Sequence, residues 1–127
     1  MRKLIIIVIV LLTGFFGIVG CYYDQVLEEG PGGIPSNVSF SNDVVPVFNK
    51  NCANSGCHDA LPTFKPSLVA DKAYSELYAG GYISKTVPSS GKLYQAIAEG
   101  SMPPGTPMST KDANLIIGWL NEGAKNN

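Results

Sequence analysis

Cys52-Ala53-Asn54-Ser55-Gly56-Cys57-His58 holds two of the chain's three cysteines and its only histidine. Four residues separate the cysteines, and the histidine follows the second of them directly. In an exported chain, two cysteines most simply form a disulfide. A zinc site is the next possibility, but two Cys and one His leave the ion without its fourth ligand. No second His and no further Cys follow to complete it.

A third chemistry is covalent attachment of haem, whose usual signature is C-x-x-C-H. Two thiols add to two vinyl groups on one edge of the porphyrin, so they must lie close along the chain. The imidazole that follows then reaches the iron as its proximal ligand. The spacer here is CxxxxCH, two residues longer than usual. Asn54, Ser55 and Gly56 suit an outward loop because such residues tolerate tight turns. The sole His, placed directly after Cys57, favours haem over a disulfide.

The start of the chain bears on this independently. Arg2 and Lys3 precede an uninterrupted apolar run, Leu4 to Leu12, and no charge appears between Lys3 and Asp24. That order reads as an export signal over residues 1–20. Seventeen residues, 4–20, containing three glycines sit at the lower limit for a permanent span. Without the signal, the hydrophobic share drops from 45% to about 40%, a soluble-protein figure. Ile18-Val19-Gly20-Cys21 resembles the lipobox of bacterial lipoproteins. The resemblance implies cleavage before Cys21, lipid attachment to Cys21, and a bacterial cell-envelope location, outer membrane or periplasm-facing. Residues 21–37, with Gly30-Pro31-Gly32-Gly33 and Pro35, read as a flexible tether. Residues 38–127 remain as a single small domain.

The full chain carries 9 basic and 10 acidic residues. Without Arg2 and Lys3 the balance is 7 to 10, a net of −3, which argues against a nucleic-acid binder. It mildly suggests partners with a basic rim.

With Cys52, Cys57 and His58 in that arrangement, the domain resembles the single-haem c-type cytochromes, which are exported before haem is attached. A six-coordinate iron then needs a donor beyond His58, from Met102, Met108, a Lys, a Tyr or water. Ser101-Met102-Pro103-Pro104-Gly105 resembles the Met-Pro-Pro loop that carries the distal sulfur in many small members of that family. Its prolines fix φ and pre-order the loop. Met102 lies 44 residues after His58, enough chain to reach the other haem face. Met108, after Pro107, is the runner-up, and core filling is the ordinary alternative for either methionine. The resemblance implies one haem c, thioethers from Cys52 and Cys57, and iron held by His58 and Met102. It implies a monomeric electron carrier, not an enzyme, that meets redox proteins of the envelope transiently. Two other readings compete. One is a haem sensor or peroxide scavenger with a labile Met; the other is a haem-free, disulfide-stapled lipoprotein.

The pattern predicts about four short helices and an all-α fold; the resemblance implies a small cytochrome c-like bundle around the haem. Ser41, Asn42 and Asp43 offer caps for a first helix, with Val44, Val47 and Phe48 inward, which delivers Cys52. Asp71 can cap a second helix, ended by Gly80-Gly81. Ser89 and Ser90 introduce a third, with Leu93, Ala96 and Ile97 inward and Gly100 closing it. Ser109 and Asp112 form a short capping box for the last. Its stripe is Ala113, Ile116, Ile117, Leu120 and Ala124. By the resemblance, that helix crosses the first, where Trp119 and Phe48 serve the crossing, the haem wall or plain core packing. Any of Tyr74, Tyr78, Tyr82 and Tyr94 is available to bond a haem carboxylate. Roughly 87 residues make a modest core alone, and a large apolar cofactor would add buried area.

Overall fold

Ser39 opens the first helical segment. Its hydroxyl accepts from the Asn42 N–H at 3.2 Å, and Asp43 Oδ2 takes the Ser39 N–H at 2.8 Å. This reciprocal box spans one residue more than usual because Phe40–Val44 is wound as a wide π-type turn. Pro46, which lacks an N–H and crowds the carbonyl four residues back, sits just after it. The cap is therefore Ser39, ahead of the expected Ser41, Asn42 and Asp43. Helix α1, Val45–Asn51, continues from this turn and ends at Cys52.

The computed structural model describes residues 32–127. The export signal, Cys21 and tether residues 21–31 lie outside the described residues. Among the described residues there are four α-helices and no extended strand, an all-α architecture. None of these helices is long and apolar enough to cross a membrane.

Helices α2 (Ala73–Ala79), α3 (Lys92–Ala98) and α4 (Thr110–Asn121) follow. Asp71 does not cap α2; the Lys72 and Ala73 N–H groups go to Val69 O instead. Ser89 and Ser90 fall in a 3₁₀ turn, Pro88–Ser90, and Gly91 stands at the start of α3. Where α2, α3 and α4 end, the same device recurs. Gly81, Gly100 and Gly123 adopt positive φ, and the N–H groups of Tyr82, Ser101 and Ala124 reach back to Leu77, Ala96 and Trp119 carbonyls. Each is a Schellman closure, which glycine permits without strain.

Ser109 caps α4, its hydroxyl accepting from the Asp112 N–H at 3.1 Å. The Asp112 carboxylate crosses to α1, accepting from Lys50 Nζ at 2.8 Å and Asn51 Nδ2 at 3.3 Å. Its Oδ2 joins the two helices instead of returning to the Ser109 N–H.

Helix α4 packs on α3 and on the Phe40–Val44 turn. Every residue from Leu115 to Leu120 is buried, a wider face than the expected stripe. The reason lies on its outer side. Gly33 O accepts from Asn114 Nδ2 at 3.0 Å, Ile34 packs on the core, and Pro35 O sits where a Cβ on Gly118 would lie 2.4 Å away. Glu122 then takes the Asn37 and Val38 N–H groups. The docked chain thus begins near Gly33, inside the stretch read as tether. Ala124, expected in the stripe, is buried beyond the helix end.

Trp119 and Phe48 are both fully buried, and Phe40 stands 5.0 Å from the Trp119 ring and 6.4 Å from the Phe48 ring. Trp119 Nε1–H donates to Lys125 O at 2.8 Å, so its one polar atom is satisfied. Both rings belong to the core where α4 meets the first helical segment. Burial of each contributes about 2–3 kcal/mol.

Candidate functional site

The end of α1 delivers Cys52, whose N–H bonds Phe48 O at 2.8 Å. The loop then closes on itself through Cys57 N–H to Asn54 O (3.0 Å) and His58 N–H to Cys52 O (3.3 Å). Gly56 takes φ +81°, and its N–H donates to Asp59 Oδ2 at 3.1 Å. Asn54, Ser55 and Gly56 face outward, as a looped-out spacer requires. Cys52 is buried and Cys57 exposed, and both are free thiols. Burial, with a smaller push from neighbouring Cys57, raises the Cys52 thiol to about 11.

His58 is oriented by its own ring nitrogen. Nδ1 lies 2.7 Å from Pro66 O. A carbonyl oxygen can only accept, so Nδ1 carries the proton. In the neutral ring, Nε2 then holds the lone pair. Nε2 has no hydrogen-bond partner among the described residues. The strap bearing Pro66 is pinned at several points. Leu68 N–H donates to His58 O (2.8 Å), Ser67 Oγ to Asp59 O (2.7 Å), and Ser67 N–H to Glu76 Oε2 (2.7 Å).

Met102 comes from the other side, directly after the closure of α3. Its N–H and that of Ser101 both point to Ala96 O, at 3.3 and 3.1 Å. It remains 42% exposed. Met108 instead packs, half-buried, against the core.

Between these elements lies an open apolar cleft made of two adjoining concavities, of about 190 and 220 Å³. Cys52, His58 and Met102 line both, which makes them one site. The first is walled by Leu68, Leu77, Leu93, Ala96 and Ile97, with Lys65, Lys92 and Tyr82 as its other polar groups. The second adds Cys57, Phe64, Pro103 and Pro104. Of the tyrosines, Tyr82 reaches this cleft. Tyr74 donates instead to Ala124 O at 3.2 Å and stacks with Tyr78. Trp119 and Phe48 do not line it.

The structure therefore brings Cys52, Cys57, His58 and Met102 to one cleft and leaves Met108 outside it. Pro66, Glu76, Phe64 and Lys92 belong to the site as well, and sequence reasoning did not find them. Lys92 carried a partial signal, being next to the inward-facing Leu93. Among the described residues, no group of three or more His, Cys, Asp or Glu is placed to hold a metal ion. No protein-family model matches this chain, and no curated protein or solved structure compared with it matches either.

Proposed function

We propose that this protein is a c-type, single-haem electron carrier, anchored in the bacterial cell envelope through lipid on Cys21. The observation that carries the reading is the state of His58. Its Nδ1–H is committed to the Pro66 carbonyl, and its lone-pair nitrogen is left for a metal, at a cleft lined by two thiols and a thioether. Metal-bound histidines almost always donate their other N–H in this way.

The residues fit haem. A bare ion would find too few donors, whereas an iron already held by four porphyrin nitrogens needs only axial ones. Haem, when bound, supplies a one-electron Fe(III)/Fe(II) couple. Cys52 and Cys57 would anchor it by thioethers, and His58 would be the proximal ligand. Met102, on its proline-bordered loop, would provide a soft distal sulfur that favours the reduced metal. Leu68, Leu77, Leu93 and Ile97, which wall the cleft, would exclude water from the macrocycle, and Lys65, Lys92 and Tyr82 would be placed to meet its carboxylates. Iron held by both His58 and Met102 would leave no position for a substrate. That favours transient redox partnership over catalysis.

A labile Met102 would instead make a sensor or scavenger of small ligands, and its 42% exposure is what favours that second reading. Carbon monoxide added to the reduced protein separates the two. Slow, incomplete spectral conversion at neutral pH is expected of the carrier. Rapid and complete conversion would transfer the site to the second reading.

A further inference from the structure

Pro66 and Ser67 share one peptide group, and both of its polar ends are engaged. The carbonyl accepts from His58 Nδ1 at 2.7 Å, while the N–H donates to Glu76 Oε2 at 2.7 Å. We propose that Glu76 is a positioning residue for the axial histidine. It would act through a carboxylate–peptide–imidazole relay that fixes the His58 ring and raises the electron density offered by Nε2. This rests on the haem reading of the same site.

A carboxylate accepting from an amide N–H makes a charge-assisted bond, roughly twice as strong as a neutral one. Hydrogen bonds in series polarise one another, so the amide carbonyl at the far end becomes a better acceptor. His58 then gives up more of its Nδ1 proton density, and its other nitrogen becomes the stronger base. Metal-ligating histidines usually lean on either a carbonyl or a carboxylate; here the two stand in line.

The geometry holds the relay in place. Ser67 is fully buried, its hydroxyl bonded to Asp59 O, and the next N–H, of Leu68, is bonded to His58 O. Glu76 projects from α2, so helix packing sets the distance. Lys65 Nζ lies 3.2 Å from both Glu76 oxygens. The Ser67 N–H above all, with Lys65 and Lys72 adding to it, holds the Glu76 carboxyl below its ordinary value against desolvation, so it is charged at neutral pH.

The test compares haem-loaded wild type with Glu76→Gln, which keeps the side chain's shape, and with Glu76→Ala. Two quantities are read: the His58 Nδ1–H resonance by ¹⁵N-edited NMR of the reduced protein, and the midpoint potential. The resonance should move upfield from wild type to Gln to Ala. The ferric–ferrous equilibrium of Glu76→Gln should shift toward ferrous by roughly threefold to tenfold, tenfold being about 59 mV for one electron. An altered potential with an unmoved Nδ1–H would reduce Glu76 to a nearby charge and overturn the relay, as would no change in either. If the chain takes up no haem, the haem reading fails. The relay is then scored separately by the same resonance in the haem-free protein, where Glu76→Gln must still move it.

Discussion

Met102 shares both concavities of the cleft with His58, whereas Met108 is packed against the hydrophobic core. The two methionines lie six residues apart on one proline-rich stretch, and composition alone treats them alike. Met102→Ala should therefore abolish the sulfur-to-iron charge-transfer band of the ferric protein. Met108→Ala should keep the band and cost about 1–3 kcal/mol, less than a fully buried truncation. Loss of the band only in Met108→Ala would reverse the assignment.

Asp112 joins the start of α4 to the end of α1, next to Cys52. The Lys50 ammonium first, then Asn51 and Ser109, hold its carboxyl below the ordinary value against desolvation. As pH falls, the unfolded chain takes up this proton before the folded one does. The stabilisation is complete above the ordinary carboxylate value and fades as pH drops through the lower folded value. Asp112→Asn should cost about 1–2 kcal/mol in urea unfolding at pH 7. The gap to wild type should close in acid, and a gap independent of pH would show that the charge has no part in it.

Gly118 lets the segment before Val38 lie directly on α4. A Cβ there would stand 2.4 Å from Pro35 O and 3.2 Å from Val38 Cγ2. Gly118→Ala should destabilise the fold by about 1–3 kcal/mol, although alanine is the better helix former. Hydrogen exchange should rise at Asn37 and Val38, whose N–H groups bond Glu122. An unchanged or raised melting temperature would mean that the segment does not depend on that contact.

What could be read in the sequence was local. Gly81, Gly100 and Gly123 end their helices because a left-handed residue closes a helix whatever lies around it. Ser109 caps α4 for the same kind of reason, as does the outward loop of Asn54, Ser55 and Gly56. The first cap moved to Ser39 because Pro46 widens the turn before it, an effect felt across several residues. Asp112 satisfies a partner on another helix, which no capping pattern records. The Pro66 carbonyl and the Glu76 carboxylate reach the site only through tertiary folding, as do the cleft walls from α2 and α3. The motif pointed to Cys52, Cys57 and His58, but not to the groups that orient them.

Covalent haem is the claim on which the rest depends, and a pyridine haemochrome assay tests it directly. The protein would be expressed in full with haem-attachment machinery, then denatured and extracted before the spectrum is taken. One haem per chain that stays with the denatured polypeptide is expected, lost from a Cys52→Ala/Cys57→Ala double variant. A colourless protein, or haem that leaves entirely on extraction, would contradict it.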